Sequence, residues 1–240
     1  FLGEWQYSEL TNYNGDYESV TTLAHEWGHA MHSYLANRAQ PFVTANYATF
    51  VAEIASTFNE ALLLDHMLKV AKTDDERVFY LGSALENLRG TFFRQAMFAE
   101  FERRIHATVD AGEPFTGDQL SKNYCELLKR YHGVAEGVMT IDETYCVEWA
   151  YIPHFYSPFY VYQYATSIAA SSLLAERVVK REPGALDRYL KLLRAGASNY
   201  PYDLVKAAGV DLATAAPYES LVARMNGIMD KIEQIIDKKP

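Results

Sequence analysis

A chain of 240 residues, 49% of them hydrophobic, can bury one substantial core and reads as a single domain or one lobe of a larger enzyme. With 22 Lys+Arg against 31 Asp+Glu the net charge is -9, which argues against nucleic acid or an anionic membrane as partner, since both call for a basic face. No apolar run approaches the ~20 residues that span a bilayer. Two cysteines, Cys125 and Cys146, are too few for a disulfide framework and are expected to be buried thiols in a reducing compartment. The opening Phe1-Leu2-Gly3-Glu4-Trp5 lacks an initiator Met and the basic start of a signal peptide, so the chain is expected to be part of a longer polypeptide.

Helical signals run from end to end. After the turn-rich Asn12-Tyr13-Asn14-Gly15-Asp16, a helix is predicted from Tyr17 to Asn37, stopped by Pro41. A second, Tyr47 to Lys72, has apolar residues at Val51, Ile54, Ala55, Phe58, Leu62 and Met67, close to the 3.6-residue period. Thr73-Asp74-Asp75-Glu76 is a capping box opening a third long helix to Val109, with Gly90 its interior weak point. Gly112-Glu113-Pro114 is a turn, and the capping box Thr116-Gly117-Asp118-Gln119 starts a helix to Tyr131. Gly133 to Thr144 looks irregular. Pro153 and Pro158 punctuate an aromatic stretch before a helix from Phe159 to Lys180. Two or three shorter helices follow, with Pro183-Gly184, Tyr200-Pro201 and Ala216-Pro217 at their junctions. No run alternates long enough to make a strand. The predicted fold class is all-α.

The first helix carries His25-Glu26-Trp27-Gly28-His29, an HExxH element. Residues four apart on a helix sit about 40° apart on one face, so His25 and His29 can direct imidazole nitrogens at one ion. Glu26, offset by one, can reach a water at the ion without ligating it, and this is the pattern of a zinc hydrolase. Gly28 is a poor helix former in mid-helix, which close approach of another backbone or of substrate would explain.

A catalytic zinc needs a third protein ligand. His32 lies about 10 Å along the helix axis from His25, too far to share one ion, and reads as packing or as support for the ligands. Glu53 and Glu60 share a face of the second helix in an otherwise apolar segment. Such carboxylates are ordinarily solvated, but beside an HExxH helix they complete the set: Glu53 as third ligand, Glu60 orienting a ligating histidine. Arg94 and Gln95, polar residues in a strongly apolar helix, are expected to pair with a buried carboxylate.

The segments TLAHEWGHAMHS, FVAEIASTFNEALL, GTFFRQAMFAEFE and IPHFYSPFYVYQYATS together closely resemble oligoendopeptidase F, of the thimet-oligopeptidase-like zinc peptidases. They stand in family order and cover nearly the whole chain from Tyr13 onward. The resemblance implies one zinc ion on His25, His29 and Glu53, with Glu26 as general base. It also implies a helical, two-lobed, zincin-like fold whose channel admits short oligopeptides, in a cytoplasmic enzyme. The family's enzymes are longer, so residues 1–240 are expected to be the C-terminal zinc-bearing catalytic domain, with the N-terminal region as the missing partner. Ser167 stands where the family pattern has Gly after YAT.

Hydrolysis also needs donors for the oxyanion. The stretch Trp149 to Tyr164 offers His154, Tyr151, Tyr156, Tyr160, Tyr162 and Tyr164. By the resemblance His154 belongs to this element, with Tyr162 the expected oxyanion donor and Tyr156 a further candidate. The leading expectation is a zinc metalloendopeptidase acting on oligopeptides. Its alternatives are a lobe that binds peptide but is silent without its N-terminal region, and a zinc carboxypeptidase.

Overall fold

The computed structural model describes residues 12–238; the opening Phe1-Leu2-Gly3-Glu4-Trp5 lies outside the described residues. Among the described residues there is no strand, and the all-α expectation holds. In chain order the helices are α1 (Tyr17–Ala39), the short α2 (Phe42–Ala45), α3 (Thr49–Val70), α4 (Asp74–Leu88), α5 (Gln95–Asp110) and α6 (Gly117–Tyr131). They continue with α7 (Tyr162–Val179), α8 (Ala185–Leu193), α9 (Pro201–Ala207) and α10 (Ala216–Ile236). A π-helical stretch, Arg89–Arg94, joins α4 to α5, and 3-10 turns cover Glu143–Tyr151 and Pro153–Tyr156.

Helix starts follow local chemistry. Asp16 caps α1 by accepting the Ser19 N–H at 2.8 Å. Both capping boxes form: Glu76 N–H donates to Thr73 and Thr73 N–H to Glu76, at 3.2 and 3.1 Å, while Gln119 and Thr116 exchange the same pair at 3.2 and 2.8 Å. The helix predicted from the first box is continuous to Asp110 only by way of the π stretch, which contains Gly90. The last helix differs from expectation: α10 is 21 residues long, with Pro217 in its first turn, where a missing N–H leaves nothing unpaired.

The chain forms two compact units, one of the residues up to Leu88 with those from Thr166 on, the other Arg89–Ala165. In the first, Val51, Ile54, Ala55 and Phe58 form the buried stripe of α3 and pack with Leu174 of α7, Tyr189 and Leu192 of α8 and Val205 of α9. Phe58 stacks on Tyr189 with ring centroids 3.8 Å apart. The hydroxyl of Ser167, also buried, donates to the Phe50 carbonyl at 3.4 Å. In the second unit Phe101 packs edge-on against Tyr124 and beside Phe155, within a cluster that also holds Met97, Phe98 and Leu127. Arg94 pairs with the buried Glu148, as expected of it, and Glu148 also accepts the Tyr124 hydroxyl at 2.5 Å. Burial, and then that carboxylate, push the Tyr124 phenol well above its ordinary range.

The cysteine expectation is corrected. Cys125 of α6 and Cys146 of the Glu143–Tyr151 turn are joined by a disulfide, their Cα atoms 4.6 Å apart. The packing of that turn along α6 brings them together, a pairing that a separation of 21 residues does not announce.

Within the first unit, α1 crosses α3 at backbone contact. A Cβ on Gly28 would lie 2.5 Å from the Ala55 carbonyl oxygen and the Ser56 Cα, and 2.7 Å from the Ser56 nitrogen. All three are backbone atoms and cannot swing aside. Gly28→Ala should therefore destabilise by about 1–3 kcal/mol through overpacking, although alanine is the better helix former by about 1 kcal/mol. A lower urea midpoint is the expected result; an unchanged or raised one would show that α3 moves away freely.

Candidate metal centre

The crossing at Gly28 brings one face of α1 against one face of α3. His25 and His29 stand on either side of Gly28 along α1, and Glu53 lies one turn before Ser56 on α3. The result is a cluster in which one donor atom from each of His25, His29 and Glu53 lies within 4.8 Å of the others. Oε2 of Glu53 is 3.3 Å from Nε2 of His25 and 3.5 Å from Nε2 of His29. Those separations lie at the long edge of hydrogen-bonding distance. They match the edge of a zinc tetrahedron, about 3.3 Å for metal–ligand bonds of about 2.05 Å. Two imidazole nitrogens and a carboxylate oxygen are also the donor types that a catalytic zinc takes, with a fourth position left open. The residues fit the metal that the HExxH element implies.

The ligands are themselves held. Nδ1 of His25 meets Oε1 of Glu60 at 2.5 Å, which turns Nε2 toward the cluster. Oε2 of Glu60 accepts from Asn87 Nδ2 of α4 at 3.0 Å. Glu53 Oε2 accepts from Ser56 Oγ at 2.9 Å. Asn59 Nδ2 donates to the Ala24 carbonyl at 3.2 Å, a further tie between α3 and α1 just ahead of the ligands. Glu53 and Glu60 thus stand where the sequence predicts, whereas Asn87, Ser56 and Asn59 were not foreseen. Nothing in their local pattern separates them from ordinary helix-surface residues.

The electrostatics follow from this crowding. Burial works against a charged His25, but the hydrogen bonds and charges of Glu53 and Glu60 outweigh it and raise its pKa to about 10. The Glu53 carboxyl, although burial would raise it, is driven far below the carboxylate range by His25 and His29. The cluster attracts positive charge, whether proton or cation.

His32 takes the packing role. It is 1% exposed and stacks flat on Tyr47 with ring centroids 3.6 Å apart, while the Tyr47 hydroxyl meets Ser33 Oγ at 2.9 Å. Burial, with the nearby His29, lowers its pKa to about 3, so it stays neutral at any physiological pH. Glu26, the expected base, is half-buried on α1, directly after His25.

The expected oxyanion residues belong to the other unit. His154 lies in the 3-10 turn Pro153–Tyr156, and its ring is 5.5 Å from that of Tyr160 and 5.9 Å from that of Tyr164. The hydroxyls of Tyr160 and Tyr164 are 3.4 Å apart. The structure therefore gathers His154 with Tyr160 and Tyr164, two tyrosines that the sequence offered without ranking. Tyr156 is 86% exposed, and Tyr162, at the start of α7, is 39% exposed.

The model of peptidase family M3 matches residues 6–223. The chain belongs to this family. Among M3 relatives, oligopeptidase PepF of Bacillus subtilis is 43% identical over 229 residues, covering 95% of this chain and 34% of its own length. The plasmid oligoendopeptidase F of Lactococcus lactis subsp. cremoris is 41% identical over 230 residues, covering 95% of this chain and 38% of its own. The crystal structure of oligoendopeptidase-F from Enterococcus faecium superposes with a TM-score of 0.78 at 37% identity, over 92% of this chain and 40% of that one. The chain spans little more than a third of the length of these curated relatives.

The tie between Glu60 and His25 gives a direct test of the centre. Glu60→Ala frees Nδ1 and lets the ring turn, so zinc affinity should fall about 10- to 100-fold. Competition with a chelating dye measures it. Affinity equal to that of the parent chain would mean that Glu60 does not orient the ligand.

Proposed function

We propose that this chain is the C-terminal zinc-bearing catalytic part of an M3 metalloendopeptidase that hydrolyses oligopeptides. The observation that carries the proposal is the convergence of donor atoms of His25, His29 and Glu53 within 4.8 Å, with the Glu53 oxygen 3.3 and 3.5 Å from the two imidazole nitrogens and Glu26 on the same helix. One zinc ion would be held by those three residues. When bound, zinc supplies Lewis acidity, making water a nucleophile near neutral pH and polarising the scissile carbonyl.

The protein's own residues do the rest. Glu26 takes the proton from the attacking water and returns it to the leaving amine, as a general base and then a general acid. Donors from the His154 segment stabilise the negative charge that develops on the carbonyl oxygen. Tyr162 and Tyr156 remain in this proposal, and the ring cluster on His154 supports adding Tyr160 and Tyr164. A phenol donates a hydrogen bond without bringing charge. A substrate of peptide chemistry and a cytoplasmic location belong to the same reading, while the net charge of -9 supports leaving nucleic acid out.

A second reading has its own support. Because the chain spans 34% and 38% of two relatives' lengths, it could bind peptide and stay silent until the remaining N-terminal region is supplied. Mixing it with a quenched peptide, with and without the corresponding N-terminal fragment of a relative, separates the two. Mapping product ends from one peptide of about ten residues tells internal cleavage from removal of C-terminal residues, which a carboxypeptidase would give.

The mechanism is tested at Glu26. In the active assembly, Glu26→Gln should keep zinc stoichiometry and the unfolding midpoint while kcat falls by about 10²- to 10⁴-fold. Retention of peptide cleavage at the parent rate would refute the assignment.

A further inference from the structure

Within the segment that carries His154, Tyr160 and Tyr164, the chain passes through a conformation that it does not hold by itself. Ser157-Pro158-Phe159-Tyr160 is a β-turn in which the Tyr160 N–H donates to the Ser157 carbonyl at 3.2 Å. Proline suits the second position of such a turn, and a third position with positive φ ordinarily calls for glycine. Here that position is Phe159, at φ 58°. For a bulky aromatic residue this is an outlier, and it persists only where the surroundings enforce it.

The enforcement comes from two residues one turn apart on α5. Glu102 accepts the Phe159 N–H on Oε1 at 2.7 Å. The His106 ring packs against the Phe159 ring with centroids 4.6 Å apart. Glu102 is 2% exposed. Among the described residues no Lys, Arg or His nitrogen lies within ion-pairing distance of it. A carboxylate so deeply buried without a cation is unfavourable unless a hydrogen bond compensates it. The neighbouring core is aromatic and aliphatic, so leucine would fill the space at less cost. The backbone N–H of the left-handed residue is what explains a carboxylate here.

We propose that Glu102 is a positioning residue for peptide hydrolysis. It holds Phe159 in the left-handed region and so fixes the path along which His154, Tyr160, Tyr162 and Tyr164 present their donors. Glu102 forms no bond to substrate; it acts through the backbone of the turn. The inference rests on reading the His154 segment as the oxyanion-stabilising element.

The test uses the zinc-loaded polypeptide as its gene encodes it. Hydrogen exchange of the peptide spanning Phe155 to Tyr164 reads the Phe159 N–H directly, without reference to activity. Glu102→Leu should speed that exchange and lower kcat about 10- to 100-fold with KM little changed, since a misplacement near 1 Å costs about 10²-fold. Glu102→Gln keeps a carbonyl acceptor and should recover most of both. Adding Phe159→Gly to Glu102→Leu should also recover kcat, because glycine adopts positive φ without help; a merely structural role for Glu102 predicts no such rescue. His154→Ala is measured in parallel. If it lowers kcat and Glu102→Leu does not, or if the glycine double variant stays as slow as Glu102→Leu, the positioning role is overturned. Should His154→Ala leave kcat unchanged, the oxyanion reading falls and the positioning role falls with it.

Discussion

The candidate metal centre depends on two helices crossing at backbone contact. α1 and α3 meet where a residue with no side chain, Gly28, lies against the peptide unit of Ala55 and Ser56. With a Cβ in that position the axes would stand further apart. The carboxylate of Glu53 could then no longer lie 3.3 and 3.5 Å from the nitrogens of His25 and His29. Glycine in mid-helix costs about 1 kcal/mol against alanine, and here that cost is the condition for a three-donor site. The hydrogen bond from Asn59 to the Ala24 carbonyl fixes the same crossing a turn away, so the approach is held by sterics on one side and by polarity on the other.

Such a site concentrates charge in a half-buried space, and the packing around it answers that problem in layers. Glu53 would be unfavourable as a lone carboxylate; Ser56 and the two histidines satisfy it. Glu60 faces His25 with one oxygen and Asn87 with the other, so neither oxygen is left without a donor. Two carboxylates around two imidazoles leave the cluster favouring a cation. A divalent ion answers that imbalance better than protons, because it binds all three donors at once. His32 shows the opposite treatment on the same helix. With its ring flat on Tyr47 it is kept neutral and takes no part in the charge balance.

How far the sequence alone reached follows from which physics each feature obeys. His25, Glu26 and His29 are placed by the geometry of one helix, so their spacing is legible in the sequence as a candidate element that needs a third ligand to complete it. Glu53 and Glu60 were readable because two carboxylates in an apolar segment need a reason, and the incomplete ligand set provided one. The capping boxes at Thr73 and Thr116 are local and appear as read. Other features depend on tertiary contact and left no such mark. Asn87 reaches Glu60 across 27 residues, and Cys125 meets Cys146 only because the 3-10 turn packs along α6. Among the tyrosines, 18 in the chain, composition could not pick Tyr160 and Tyr164 as the ring partners of His154.

The two sets of candidate groups are also built differently, and the difference suits their tasks. Metal ligands must stay fixed to within a fraction of an ångström, and the candidate ligands sit in the interior of long helices of 23 and 22 residues. Among the candidate oxyanion donors, His154 sits instead in the short 3-10 turn Pro153–Tyr156, and Tyr160 follows Pro158 in the connection to α7, where the backbone is not secured by a helical ladder. Proline restricts such a segment but cannot by itself fix its direction. That leaves α5, a regular helix, to supply rigidity from outside through Glu102 and His106. A loop aimed by a helix combines the reach of irregular backbone with the precision of regular structure. This accounts for a left-handed phenylalanine in a position where glycine would have been easier: glycine would make the turn possible, whereas Phe159, held by its N–H and its ring, makes it single-valued.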